Sequence, residues 1–123
     1  MSEVLERLEL PPERGSIPRA RQFLRKVLGD DVTGEALEIA ELLTSELVTN
    51  AVLHSGTPLE VRVSRHRSRV RVEVADRTEE RPVLRKDADP LALNGRGLQF
   101  VDRLATKWGV VSERHGKAVW FEV

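Results

Sequence analysis

Apolar and polar residues recur along this chain with two different periods, and the points where the period changes mark out its elements. VLERLEL alternates loosely before Pro11 and Pro12, which predicts a short first strand closed by a turn. In GSIPRARQFLRKVLGDD the spacing lengthens, and Ala20, Phe23, Leu24, Val27 and Leu28 form the apolar face of a predicted helix. Ser16 is placed to cap that helix, Pro18 fits its first turn and Gly29 its end. A second helix is predicted from about Thr33 to His54 on Ala36, Leu37, Ala40, Leu43, Leu47 and Ala51, with SGTP breaking it.

LEVRVSRHRSRVRVEVAD then returns to a period of two and predicts a hairpin. Val61 and Val63 face one way, Val70, Val72 and Val74 line one face of the partner strand, and charged residues alternate with them. A sheet with one buried and one wet face produces that pattern. From Arg77 to Gly97 neither period holds, and RTEERPVLRKDADPLALNGRG mixes charge, proline and glycine. A loop of this length inside a domain is uncommon and is usually functional or disordered. A third helix is predicted from about Leu98, with Leu98, Val101, Leu104, Ala105 and Trp108 on one side. Two strands, WGVVSER and KAVWFEV, close the chain and join near His115 and Gly116. This order lacks the strict alternation of a doubly wound parallel fold. It predicts an α+β chain, a two-layer sandwich whose mixed, mostly antiparallel sheet carries its helices on one face.

Composition narrows the function classes. The 123 residues are the size of one domain, so residues 1–123 are expected to form one. Cysteine is absent, which excludes a disulfide framework and any cysteine-ligated metal, and fits the reducing cytoplasm. No apolar run approaches the length of a membrane helix, and MSEVLERLEL does not read as a signal peptide. Charged residues make up 33% of the chain but balance to zero, which gives no broad footprint for nucleic acid. The arginines from Arg62 to Arg71 read as a solvated sheet face, and Trp108 and Trp120 as core rather than as a base-stacking platform. His54, His66 and His115 have no metal-ligand spacing. The phosphate-loop, kinase catalytic-loop and serine-hydrolase motifs are absent.

Three features carry candidate chemistry. Within TSELVTNAVLHSG, Glu46 and Asn50 stand one helical turn apart, in a row with Leu42 beside the apolar face. They fit a pair at the border of the core, with Asn50 bonded to nearby backbone. They also fit, as the less favoured reading from the pair alone, a site in which Asn50 offers a neutral oxygen to Mg²⁺ and Glu46 takes a proton from a hydroxyl. Asp76, at the end of VRVEVAD, either starts a turn or accepts hydrogen bonds from a ligand amine. In NGRGLQFVDRL, Gly95 and Gly97 flank Arg96 at a helix start, where free N–H groups suit phosphate and also where structural glycines are common.

In this order, these residues resemble the histidine-kinase-like (GHKL, or Bergerat-fold) ATPases, and within them the small bacterial anti-sigma-factor serine kinases. SELVTNAVLHS looks like the family's N box, VEVAD matches its first glycine box in position, GRGLQFVDRLATKWGV its second, and GKAVWFEV its closing strand. The resemblance implies ATP and Mg²⁺ as cofactors. Asn50 would be the metal ligand, Glu46 the general base toward a partner's serine, and Asp76 the acceptor of the adenine amine. Gly95, Arg96, Gly97 and Leu98 would bind the phosphates at the end of a lid spanning about 77–97. The implied partners are a sigma factor, which it sequesters, and an anti-anti-sigma protein of the STAS type, which it phosphorylates, with a homodimer as the usual assembly. Neither membrane nor direct nucleic-acid binding is implied. Two departures stand out. The first glycine box reads DRTEE, without glycine, and the threonine that the family often carries near the adenine aligns with Ala118. They favour a second reading, a partner-binding module on the same fold that has lost much of its nucleotide affinity. The first helix and a sheet edge are then the expected partner surface.

Overall fold

The computed structural model describes residues 2–29, 32, 34–66, 69–78 and 101–123. Strand β1 (Ser2–Leu10) leads into helices α1 (Ser16–Leu28) and α2 (Gly34–Asn50). Strands β2 (Leu59–His66), β3 (Arg69–Asp76), β4 (Lys107–Glu113) and β5 (Gly116–Glu122) follow. Residues 101–104 are helical. The strands form one sheet in the order β1-β2-β3-β5-β4, and every described pairing is antiparallel. This is the α+β architecture that the alternating periods predict.

Register explains how the sheet acquires an inner and an outer face. Val61 lies opposite Val74 and Val63 opposite Val72, and these continue to Val119 and Phe121 of β5. Because side chains alternate between faces, this row is buried together. It packs with Ala20, Leu24 and Leu28 of α1 and with Ala40, Leu43, Leu47 and Val48 of α2. Burying each large aliphatic side chain contributes about 1.5–3 kcal/mol. The intervening residues Arg62, Glu73 and Trp120 face outward in a second row.

Several local expectations change in the structure. Gly15, not Ser16, occupies the N-cap of α1, and no side chain caps it. Ser16 is instead the first helical residue, buried, its hydroxyl donating to the Pro11 carbonyl at 2.7 Å. The turn from Pro11 to Gly15 feeds directly into the helix through backbone bonds from Ser16 to Glu13 and from Ile17 to Arg14, so no side-chain cap is required. Trp108 lies in β4 opposite Phe121, not on the preceding helix, because sheet pairing has already begun at Lys107. Its indole donates to Asp102 at 2.9 Å. Trp120 is not core. It lies on the outer face with the Arg71 guanidinium 4.0 Å above its ring. The sheet arginines are not simply solvated either, since Arg71 pairs with Glu122 at 2.6 Å.

Candidate functional site

Helix α2 carries the acid and the amide. Ala40, Leu43, Thr44, Leu47 and Val48 bury one side of it, which leaves Glu46 and Asn50 half-buried at the border and Leu42 exposed. Neither Glu46 nor Asn50 has a side-chain hydrogen bond or ion pair among the described residues. The pair thus stands at the border of the core as expected, but the expected bond from Asn50 to nearby backbone is not seen among the described residues. A half-buried amide oxygen without a partner is suited to a hard cation that needs only one or two protein oxygens. No group of three or more histidine or acidic side chains forms a metal cage among the described residues.

Directly after Asn50 the helix changes pitch. Ala51–Ser55 form a π-helical turn, and Gly56 ends it in the left-handed region at φ 64°. π turns relax the regular hydrogen-bond ladder and often occur at functional sites. The segment is tied to the sheet. The Ser55 and Thr57 hydroxyls are hydrogen-bonded to each other, and the Arg77 N–H donates to Thr57 Oγ1 at 3.0 Å. Arg77 follows Asp76, so this contact holds the exit of the acid-amide helix beside the end of β3.

Asp76 closes β3 on the inner face. Its Oδ1 accepts the Thr78 N–H at 3.0 Å, the turn expected of an aspartate that leaves a strand. Its Oδ2 accepts Lys117 Nζ at 2.7 Å, with the two side chains 7% and 10% exposed. Lys117 is the residue that sequence reasoning missed. Asp76 pairs with Lys117 across the ladder, while Ala118 pairs with Ala75. Successive residues face opposite ways, so the methyl of Ala118 points to the outer face and Lys117 occupies the place beside Asp76. The alignment of Ala118 with an adenine-side threonine is thereby corrected. Only the strand register could have revealed this. The backbone here is also close-packed, since a Cβ on Gly116 would lie 2.0 Å from the Asp76 carbonyl oxygen.

The outer face at this end of the sheet is organised separately. Arg62 donates to both Glu113 oxygens and to Glu60. These hydrogen bonds hold the Glu113 carboxyl below its ordinary range and the Arg62 guanidinium above its own. A cavity of about 260 Å³ opens beside this network, with Ala75 and His115 among its walls. Asp76 and Arg77 also line it, so it lies at the end of the sheet where β3 leaves it. The expected phosphate-binding residues Gly95, Arg96, Gly97 and Leu98 lie outside the described residues. So does the expected lid, except for Arg77 and Thr78.

The family described as Histidine kinase-like ATPase domain matches residues 10–123. No curated protein matches the chain. Among solved structures, the RsbU and RsbW domains of Rv1364c from Mycobacterium tuberculosis superpose with a TM-score of 0.69 at 17% identity. The match covers 95% of this chain and 32% of that one, so the chain spans about a third of the length of that neighbour. At this identity the likeness extends to the fold.

Proposed function

Because the chain belongs to the histidine kinase-like ATPase domain family, we propose that it is an ATP-binding regulator of the anti-sigma type. It phosphorylates a serine of a STAS-type partner and sequesters a sigma factor in the cytoplasm. The observation that carries this reading is the pair Glu46 and Asn50, half-buried and without partners among the described residues. They sit on the helix whose exit is bound to the strand of Asp76. Asn50 holds Mg²⁺ through its amide oxygen. Glu46, one turn earlier, accepts the proton of the serine hydroxyl. Mg·ATP, when bound, supplies the phosphoryl group and neutralises its developing charge. The expected lid, about 77–97, and the expected phosphate-binding residues Gly95, Arg96, Gly97 and Leu98 would meet the phosphates; all but Arg77 and Thr78 lie outside the described residues. No helix among the described residues is long and apolar enough to cross a membrane.

A specific observation favours the second reading, a regulator that binds its protein partners with little use of nucleotide. Asp76, the expected acceptor for the adenine amine, already has both oxygens engaged within the chain. The chain's own groups thus already take part of the acceptor capacity that the adenine amine would use.

Titration with ATP in the presence and absence of Mg²⁺ separates the two. Saturable, Mg²⁺-dependent binding together with phosphate transfer to a STAS-type protein supports the kinase. Partner capture with neither nucleotide nor transfer supports the binding module and sinks the kinase.

A further inference from the structure

Among the described residues the sheet ends in two edges, β1 and β4, and the two are built differently. An edge presents unpaired N–H and C=O groups that template pairing with another chain, unless charge, proline or a bulge blunts it. β1 is blunted. Its register shifts between Val4 and Glu6, and Glu6, Arg7 and Glu9 bring charge to it. β4 is not. It pairs with β5 in unbroken register over seven residues, and its centre, from Trp108 to Ser112, carries no charge. Val111 stands on this edge with 46% of its surface exposed. Lys107, also exposed, has no ion pair among the described residues.

We propose that β4 is a self-pairing edge whose occupant is a second copy of this chain, joined antiparallel about a two-fold axis at Val110. Symmetry leaves few choices, because a two-fold pairing of identical strands sets one residue opposite itself. With Gly109 on the axis, Lys107 meets Val111 of the copy; with Val111 there, Lys107 meets His115 and Trp108 meets Arg114. With Val110 there, Lys107 meets Glu113 at both ends, Trp108 meets Ser112 and Val111 meets Gly109. Of the three registers, this one alone pairs opposite charges. Directly opposed residues share a face, and Lys107, Gly109, Val111 and Glu113 all lie on the outer face with Trp120. Arg62 already orients the Glu113 carboxylate, which keeps lone-pair sites for an ammonium. Gly109 has no side chain, and the Trp120 indole lies 3.0 Å from where its Cβ would stand. Val111 of the copy therefore packs beside that ring instead of facing water. One strand pair is smaller than a standard interface of roughly 1,200–2,000 Å², so the dimer is weak, with Kd about 10–100 μM.

The test is sedimentation equilibrium of the full chain, without nucleotide, from about 1 μM to about 1 mM. A reversible monomer–dimer equilibrium is expected. Val111→Lys sets an ammonium diagonal to Lys107 of the copy and is expected to weaken the dimer about tenfold or more. The register has its own readout, since the chain has no cysteine. Under mild oxidation Val110→Cys is expected to give a covalent dimer, its thiols opposed across the axis. Val111→Cys is expected to give little, because the two copies of that position stand beyond the roughly 7 Å between Cα atoms that a disulfide spans. A chain that stays monomeric at about 1 mM overturns the inference. So does a dimer that Val111→Lys leaves intact, which would place the interface on another face. Val111→Cys cross-linking as fast as Val110→Cys overturns the register and the proposal with it. Val111 is exposed, so Val111→Lys decides even if Val110→Cys fails to fold. Glu46, Asn50 and Asp76 lie off β4, so the inference does not rest on the nucleotide reading, and either can fail alone.

Discussion

Arg62 of β2 grips Glu113 of β4 with two parallel hydrogen bonds, 2.7 and 3.0 Å long, although β3 and β5 lie between their strands. On that face the intervening strands present Ala75 and Ala118, which leave space for the reach. An alanine that reads in the sequence as a lost adenine contact is thus a small residue on the far side of the sheet, where the ion-pair network runs.

Glu113→Gln keeps the shape and removes the charge. The folded carboxyl is held below its ordinary value, mainly by the Arg62 hydrogen bond. Its contribution is therefore complete above the unfolded value of about 4.3 and is lost as pH falls through the lower folded value. The pair is partly exposed, so the variant should lose only about 0.5–1 kcal/mol at neutral pH. Urea unfolding from pH 7 to pH 3 should show the two proteins converging on the acid side. A constant difference across that range would contradict the assignment.

Gly116→Ala should be severely destabilising for so small a change. Its Cβ would meet the Asp76 carbonyl oxygen at 2.0 Å and the Arg77 Cα at 2.7 Å, both backbone atoms. The β3–β5 ladder would have to open at the site, at a cost of about 3 kcal/mol. Thermal unfolding measures the loss, and exchange of the neighbouring strand amides should localise it to this end of the sheet.

Thr44→Val should stabilise. The Thr44 hydroxyl is fully buried and has no hydrogen-bond partner among the described residues. An isosteric methyl removes the desolvation penalty of an unsatisfied group, about 1 kcal/mol or more. A lower melting temperature in the variant would show that the hydroxyl has found a partner in solution.

Asn50→Ala and Glu46→Ala should separate on the proposed function. The first should abolish the Mg²⁺-dependent part of ATP binding. The second should leave binding within about threefold and reduce phosphate transfer by about 10²–10⁴-fold, the usual share of a general base. Calorimetry and a radiolabel transfer assay read the two effects separately. Normal transfer by Glu46→Ala would remove it from the base role.

Much of the fold was legible because burial imposes a period. Val61, Val63, Val70, Val72 and Val74 alternate in the sequence and are buried in the sheet, and Ala20, Leu24 and Leu28 mark the inner side of α1. The misplacements of Ser16 and Trp108 fall at element ends, where one turn of backbone pairing outweighs local preference. Trp120 was misassigned for a different reason. A large aromatic can be covered on the outer face as well, here by the guanidinium of Arg71.

For the site, the sequence alone determined the helix that carries Glu46 and Asn50, their spacing of one turn, and the position of Asp76 at a strand end, because each is a local property of one segment. The tertiary structure decided who stands beside whom. The Thr57–Arg77 hydrogen bond ties helix exit to strand end, and the β3–β5 register sets Lys117 rather than Ala118 against Asp76. Register is fixed by packing summed over whole strands, and a shift of one residue would exchange the faces. No short stretch of sequence contains that information, which is why the lysine beside Asp76 could be seen only once the sheet was assembled.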